Sequence, residues 1–265
     1  MFKKILQPVD LYESISDIKI RSSFINRFSD MEIILVHVFN SGFGSEINAR
    51  SRLSYLAGEL NNIGINTRTS LRFGHVASEI AMAATEEEAE MIYMTASKKS
   101  FLVSSLMGSI TEDVVRLSDV PIFVHKQRPV IRETESLKKV VFATDFKIAA
   151  KRARPYVKML GKLVPELIIL HVGERASDPH AEKIRLEHVQ TRLKELKEKF
   201  NDDYKNIKYF SRIGSPARNI IEAVDDAGAD LVILGRLNEP FPSKILGSTC
   251  ARVTSRVKSS VLLIP

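Results

Sequence analysis

The stretch Leu234–Thr249, LGRLNEPFPSKILGST, has the residue types of an anion-binding loop. Gly235 and Gly247 lie near its two ends, and Ser248 and Thr249 follow where a helix could begin. Glycines allow backbone N–H groups to approach a bound anion closely, and the N-terminus of a helix adds the positive end of its dipole. The chemistry that this stretch could perform is therefore the binding of a phosphate group.

The bulk composition is that of a soluble globular protein with room for two domains. The 265 residues are 44% hydrophobic and 27% charged, and no apolar run approaches the roughly 18 residues that a membrane-spanning helix needs. We therefore expect no membrane partner. The opening MFKKILQPVD lacks the apolar segment of a secretory signal, and the single cysteine, Cys250, excludes an intrachain disulfide. Both features favour a cytoplasmic location.

The formal net charge of +7 is spread along the chain. Basic residues are interleaved with acidic ones, as in the segment 193–199, LKELKEK, and this pattern is typical of a solvated helix face. We therefore predict no specific nucleic-acid partner.

The chain contains the same design twice. Five blocks of the first half reappear in the second half in the same order, at offsets between 134 and 140 residues. The matched pairs are Lys3–Asp10 with Lys138–Asp145, Glu32–Val38 with Glu166–Val172, Arg72–Ile80 with Arg212–Ile220, Ala89–Met94 with Ala229–Leu234, and Leu106–Ser109 with Ile245–Ser248. This order indicates a tandem duplication, and the polar stretch 127–137 is the natural linker. We predict a first domain over residues 1–126 and a second over 138–265.

Within each copy, short apolar runs rich in Val, Ile and Leu alternate with helical patterns. The runs are nearly continuous, which is typical of strands buried on both faces of a parallel sheet. Apolar residues at spacings of three and four predict one sheet-packing face on the second helix of each copy: Leu53, Leu56, Leu60 and Ile63, then Leu186, Val189, Leu193, Leu196 and Phe200. Each copy is thus predicted to alternate five strands with four helices in a doubly wound α/β sheet.

The common catalytic signatures are absent from the sequence. It contains no G-x-G-x-x-G after a strand, no G-x-x-x-x-G-K-[ST], no G-x-S-x-G and no H-E-x-x-H. His37 and His171 occupy equivalent places inside apolar runs, and we interpret each as a buried or half-buried neutral imidazole bonded to backbone. Cys250 is interpreted as a small helix residue. We expect no metal site and no dedicated catalytic site.

The repeated unit resembles the universal stress protein family. The resemblance rests on four features that both copies share: an Asp after the first strand (Asp10, Asp145), His-Val at the end of the second (His37-Val38, His171-Val172), a glycine before the third helix (Gly74, Gly214), and a fourth strand that runs into a loop related to G-x2-G-x9-G-[ST]. It implies a five-stranded parallel sheet of order 3-2-1-4-5 in each domain, a fold described as adenine nucleotide alpha hydrolase-like. Many members bind ATP or AMP at the carboxyl ends of the strands, and others lack the motif and bind no nucleotide.

For the second copy, the resemblance implies a nearly complete nucleotide site. The implied residues are Asp145 and the backbone at Val172 for the adenosine, and Gly235, Asn238, Gly247, Ser248 and Thr249 for the phosphates. Asn238 replaces the second glycine, which is a mild change because Asn tolerates positive φ. The spacer is eight residues instead of nine, and its two prolines remove N–H donors. The anion-facing end of the loop is intact.

For the first copy, the implied site is weaker. Its candidates are Asp10, Val38, Lys98, Gly108 and Ser109. Thr95 and Lys98 stand at the two glycine positions, although the nine-residue spacer is kept. A β-branched Thr would crowd a phosphate and resist positive φ, and the lysine would supply only a point charge. The first domain is therefore predicted to be largely structural.

The sequence leads to a binding protein of the stress-response type rather than a dedicated enzyme. The expected cofactor is ATP or AMP, held mainly in the second domain, with Mg²⁺ undecided and at most slow nucleotide hydrolysis. A nucleotide-independent scaffold stays open as the alternative, because both Gly-Ser pairs would also serve as helix starts with serine capping.

Assembly is predicted from the sheet edges. Domains of this family commonly dimerise through their last strands, here Pro121–His125 and Ser260–Ile264. Two domains in one chain can pair these strands internally and cover both edges. We expect such an intramolecular pseudo-dimer, and the sequence leaves a further homodimer open.

Overall fold

The fold is described from a computed structural model of the chain, which describes residues 2–28, 30–39, 45–95, 109–126, 137–236 and 247–265. These residues form two compact units, one with the elements up to His125 and one with the elements from Lys139 onward. All but the last residue of the predicted linker 127–137 lies outside the described residues, and the domain limits stay predictions.

The first unit is a five-stranded parallel sheet with helices between the strands. Its described elements are β1 (Lys4–Pro8), α1 (Ile15–Asn26), β2 (Glu32–Phe39), α2 (Glu46–Asn61), β3 (Thr67–Phe73), α3 (Val76–Glu86), β4 (Met91–Thr95), α4 (Ser109–Leu117) and β5 (Ile122–His125). The strand order is β3-β2-β1-β4-β5, and every pair is parallel.

The second unit repeats this plan. Its described elements are β6 (Lys139–Ala143), α5 (Ile148–Leu160), β7 (Glu166–Gly173), α6 (Pro179–Phe200), β8 (Asn206–Ile213), α7 (Pro216–Ala227), β9 (Leu231–Gly235), α8 (Ser248–Arg256) and β10 (Ser260–Ile264). The strand order is β8-β7-β6-β9-β10, again with parallel pairs. The predicted order 3-2-1-4-5 is thus confirmed in each unit.

The central strands are buried on both faces. Ile33, Ile34 and Leu35 of β2 are each 0% exposed. Consecutive side chains of a strand point to opposite faces, so helices must cover both sides of the sheet. The nearly continuous apolar runs therefore correctly predicted strands that are buried on both faces.

Two members of the predicted helix stripes are in fact exposed. Ile63 is 47% exposed, because α2 ends at Asn61 and Ile63 follows it. Leu186 is 36% exposed, because the buried residues of α6 begin only at Val189. The other stripe residues are buried as predicted. In the described part of the chain, every helix is too short or too polar to cross a membrane.

The turns before the third helices require glycine. Gly74 has φ of 134° and Gly214 has φ of 116°, which is a backbone region that other residues avoid. Pro216 then opens α7, where a missing N–H costs nothing. Backbone conformation alone therefore explains why a glycine precedes the third helix in both copies.

Candidate functional site

The predicted adenosine-contacting residues lie at the carboxyl ends of the strands of the second unit. Ala143, the last residue of β6, pairs with Leu170 of β7, and the N–H of Thr144 donates to the Leu170 carbonyl at 2.8 Å. Asp145 and Val172 each lie two residues beyond that pair. The strand order reverses between β6 and β9, and ligands of open α/β sheets bind at such a point.

The turn that carries Asp145 is held by several hydrogen bonds. The Lys147 N–H donates to Asp145 Oδ1 at 2.8 Å, and the Phe146 N–H donates to Thr144 Oγ1 at 3.0 Å. His171 Nδ1 lies 2.8 Å from the Thr144 carbonyl oxygen. The Asp145 side chain itself is exposed, so the turn presents a fixed carboxylate at the open edge of the sheet.

The two predicted structural histidines bond to backbone as expected. His37 Nδ1 lies 3.0 Å from the Val9 carbonyl oxygen, which matches the contact of His171 with Thr144. Burial lowers the pKa of His171, and the nearby Arg185 and Arg192 lower it further, while the bond to Thr144 opposes them. The neutral ring must therefore donate from Nδ1 and keep Nε2 unprotonated.

Phe146 has a conformation that the sequence did not predict. Its φ is 61° and its side chain is 5% exposed. Its ring stacks on His171 with centroids 4.6 Å apart, and the Arg192 guanidinium lies 4.2 Å from the ring centre. Left-handed backbone costs a residue other than glycine about 1–2 kcal/mol. Ring burial and the cation–π contact, worth about 0.5–2 kcal/mol, offset this cost.

Sequence analysis missed Arg192, although the duplication carried a signal for it. Arg52-Leu53 and Arg192-Leu193 are repeated at an offset of 140 residues, within the range of the other blocks. Arg192 Nη2 donates to the Phe146 carbonyl at 3.3 Å, and Arg52 Nε donates to the Leu11 carbonyl at 3.3 Å. Both arginines therefore contact the residue that follows the repeated Asp.

Gly235 has a structural role that is independent of any ligand. It is the last residue of β9, and a methyl group there would overlap the backbone carbonyl of Ala149 and lie 2.6 Å from the Ala150 nitrogen. Only glycine therefore lets the start of α5 approach this strand so closely. Glycine at this position of the loop is explained by helix packing, whether or not a phosphate also binds.

The matching position of the first unit, Thr95, has a different environment. Thr95 Oγ1 accepts a hydrogen bond of 3.4 Å from Arg21 Nη1. The other end of the same guanidinium forms an ion pair with Glu13, and Arg21 is only 4% exposed. An ion pair of a buried arginine with a half-buried glutamate thus lies beside the end of β4, where the resemblance would place phosphate groups.

The start of α8 has backbone N–H groups that no intrahelical bond uses. Gly247 is the N-cap residue, with φ of −52°, and a Cβ atom there would meet no described atom within 4 Å. The first intrahelical bond is from the Ala251 N–H to the Gly247 carbonyl. The N–H groups of Ser248, Thr249 and Cys250 therefore precede the helix ladder. Neither its φ nor its packing against the described residues requires glycine at position 247.

The expected serine capping is wrong for the second copy. Ser248 is the first helical residue of α8, and the cap position belongs to Gly247, which has no side chain to accept a bond. In the first copy, Ser109 likewise begins α4. The cap of α8 is therefore not closed by Ser248, and the residue before Ser109 lies outside the described residues.

Cys250, in the first turn of α8, contacts the end of β9. Its Sγ contacts the Gly235 carbonyl oxygen at 3.6 Å. Burial raises the pKa of the Cys250 thiol to about 11; the nearby Asp145 carboxylate adds to this rise and Arg236 opposes it. The thiol is therefore protonated at neutral pH and is a poor nucleophile. This contact joins the first turn of α8 to the end of β9, and the register pairs Leu234 of β9 with Ala143, two residues before Asp145. Asp145, Gly235 and the α8 N-terminus therefore lie at the same end of the sheet.

The remaining predicted residues divide into two groups. Val172 and Val38 are half-buried at equivalent register positions, paired with Arg212 and Arg72. Asp10 is exposed after β1, and its Oδ1 accepts from the Tyr12 N–H at 3.0 Å. Outside the described residues lie Asn238, Lys98 and Gly108.

The ends of the second strands differ between the units. Phe39 is the last residue of β2; it is buried, and its ring packs on Phe73 with centroids 5.9 Å apart. The corresponding residue of β7 is Gly173, where an added Cβ would lie 3.0 Å from His171 Nε2 and 3.2 Å from Arg185 Nη1. A hydrogen-bond acceptor and a guanidinium thus lie where the first unit has a buried ring. Over the described residues, no group of three or more metal-binding side chains converges.

Comparison with known proteins gives the family. The model of the universal stress protein family matches residues 1–126 and 136–265, so the chain belongs to this family and contains its domain twice. Universal stress protein MJ0577 of Methanocaldococcus jannaschii is 25% identical over 160 residues, covering 48% of this chain and 97% of the relative. Universal stress protein G of Salmonella typhimurium strain LT2 is 26% identical over 141 residues, covering 47% of this chain and 99% of the relative.

A solved structure has the same fold over almost the whole chain. The crystal structure of a universal stress protein from Archaeoglobus fulgidus DSM 4304 matches with a TM-score of 0.73 and 23% identity. The match covers 98% of this chain and 95% of that chain. The α/β fold predicted from the two repeats is therefore confirmed.

Proposed function

We propose that the chain binds an adenine nucleotide, ATP or AMP, in its second unit and acts in stress response or signalling rather than in catalysis. The observation that carries this proposal is Gly247. Its φ is ordinary, and a Cβ atom there would meet no described atom within 4 Å. A glycine in front of the first N–H groups of α8 lets a phosphate approach them closely. The family to which the chain belongs supports the proposal.

The described chemistry of the second unit fits a nucleotide. Asp145, an exposed carboxylate on a fixed turn, is a hydrogen-bond acceptor for ribose hydroxyls or the adenine amino group. The α8 N-terminus supplies N–H donors and a positive dipole end for phosphate oxygens. The contact of Cys250 with Gly235 and the pairing of Leu234 with Ala143 support a position of both features at the same end of the sheet.

The first unit fits a structural role better. Thr95 and the Arg21–Glu13 ion pair lie where the phosphate groups would lie. A nucleotide would have to displace an ion pair whose arginine is buried, and breaking it leaves the buried Arg21 charge uncompensated. We propose that the first unit binds no nucleotide at concentrations that saturate the second.

The alternative is a nucleotide-independent scaffold, which Gly235 favours. Because the approach of α5 accounts for this glycine, its presence alone does not require a ligand. The pairing of the last strands, a homodimer and the cytoplasmic location stay predictions.

A thermal-shift panel separates the two functions. A ligand that binds only the folded state at a hundred times its Kd stabilises that state by about 2.7 kcal/mol. ATP, ADP and AMP at millimolar concentration should raise the melting temperature of the wild-type chain, and GTP serves as the control for base preference. If none of the adenine nucleotides shifts the melting temperature, the scaffold function is favoured and nucleotide binding is contradicted.

A further inference from the structure

The turn that carries Asp145 is fixed from both sides. On one side, His171 donates from Nδ1 to the Thr144 carbonyl. On the other side, Arg192 donates to the Phe146 carbonyl and covers the outer face of the Phe146 ring. Asp145 therefore lies between two residues whose carbonyl groups are each held by a side chain from another element.

The duplication shows that this arrangement is a recurring part of the unit. In the first unit, His37 contacts the Val9 carbonyl and Arg52 contacts the Leu11 carbonyl, on either side of Asp10. The histidine comes from the second strand and the arginine from the second helix in both copies. Repetition in two diverged copies indicates that the arginine serves the turn itself.

The second unit differs by the conformation that the arginine must hold. Among the described residues, Phe146 is one of two with positive φ that are not glycine, whereas Leu11 has no such conformation. Its ring is enclosed between His171 and Arg192. Without the guanidinium, the Phe146 carbonyl loses this donor and the ring loses its outer cover, so two of the interactions that oppose relaxation to negative φ are gone. Such a rotation moves the adjacent Asp145.

We propose that Arg192 and Phe146 are positioning residues, which clamp the Thr144–Lys147 turn and thereby set the affinity of Asp145 for the nucleotide. The proposal deepens the function proposed above and rests on it. The arginine acts through the turn, by a hydrogen bond and a stacking contact, and not through long-range attraction of phosphate. A flat guanidinium is required for both contacts at once, and an ammonium group cannot replace it.

The test uses the full chain with Arg192→Ala and Arg192→Lys, and with Arg52→Ala as the matched control. Calorimetry with ATP and AMP measures affinity, and amide hydrogen exchange followed by NMR measures the Lys147 N–H, which donates to Asp145 Oδ1. Arg192→Ala should weaken affinity about tenfold, the factor that 1.4 kcal/mol produces, and should accelerate Lys147 exchange. Arg192→Lys should remain weakened, and Arg52→Ala should leave both readings at their wild-type values.

Each other result contradicts a stated part of the proposal. Unchanged Lys147 exchange in Arg192→Ala contradicts the clamp. Faster exchange with unchanged affinity contradicts its role in binding, and full recovery by Arg192→Lys shows that charge alone was needed. Failure of the wild-type chain to bind any adenine nucleotide contradicts the proposed function instead, and the exchange reading then decides the clamp independently.

Discussion

The two units follow one plan but differ where the strands end. In the first unit, the positions at this edge carry side chains, Phe39 at the end of β2 and Thr95 at the end of β4. In the second unit, the same positions are Gly173 and Gly235. The features retained by both copies are those that hold the Asp turn. Both copies have thus kept the contacts that hold the Asp turn. Only the first copy has side chains, instead of glycines, at the ends of the second and fourth strands.

The helix that follows the first strand shows the same contrast. The buried face of α5 is formed by Ala149, Ala150, Ala153, Val157 and Leu160. The buried face of α1 instead includes Arg21 and Ser22. Small apolar residues allow close approach of a helix to its sheet, whereas a buried arginine needs polar partners and space. The second unit therefore has small apolar residues on this helix face, and the first has buried polar groups there.

The largest expected effect concerns His125, the last residue of β5, at the position that Ile264 occupies in β10. His125 is 4% exposed, and neither ring nitrogen has a hydrogen-bond partner among the described residues. Burial, and to a smaller extent the nearby Arg21 charge, lower the pKa of His125 to about 4. The unfolded chain binds a proton near pH 6.5, so folding stability is full above that value and falls until about pH 4.

Over that window, about 3 kcal/mol of unfolding free energy should be lost because of this one group. His125→Ile, which copies the second unit, should remove this loss. Urea unfolding at several values between pH 7 and pH 4 measures it. A pH dependence that is identical in the variant and the wild type would contradict the assignment to His125.

The second prediction tests the close approach of α5 to β9. Gly235→Ala places a methyl group against the Ala149 carbonyl, and overpacking of this kind costs about 1–3 kcal/mol. We expect a loss of about 2 kcal/mol in urea unfolding. Thr95→Ala in the first unit is the matched control, because it shortens an existing side chain and creates no overlap. Wild-type stability of Gly235→Ala would mean that the glycine is kept for a ligand and not for packing.

The smallest predicted effect on the unfolding free energy concerns Gly58. Gly58 lies inside α2 with ordinary φ, and an added Cβ would meet nothing within 4 Å. Alanine is a better helix former than glycine, so Gly58→Ala should raise the unfolding free energy by about 0.5–1 kcal/mol. A loss of stability in this variant would show that α2 packs differently from the structure described.

The sequence predicted those parts of the fold that depend on repeated local patterns. Continuous apolar runs and the matched blocks led to the two α/β units and to the backbone contacts of His37 and His171, and the family resemblance implied the strand order. It did not predict the positive φ of Phe146 or the packing role of Gly235, because both depend on how closely a helix approaches a strand. Periodicity placed Ile63 and Leu186 on the buried faces, but it gave no sign of where each helix leaves the sheet.

The sequence predicted only part of the candidate site. Asp145 and the α8 N-terminus were found as motif residues, and the structure brings them to one edge. Arg192 was missed because a single arginine in a charged helix resembles a solvated side chain. Only its repetition as Arg52 distinguishes it. That repetition can be interpreted only once the structure shows that each arginine contacts the equivalent turn of its own unit.

The most direct test of the central claim is the number of nucleotides bound per chain. Calorimetry with ATP and with AMP should be performed on the wild-type chain, on Gly247→Val and on the matched first-unit variant Gly108→Val. We predict one site per chain, which is abolished by Gly247→Val and unchanged by Gly108→Val. Two sites per chain, or a single site lost only in Gly108→Val, would contradict the assignment of nucleotide binding to the second unit.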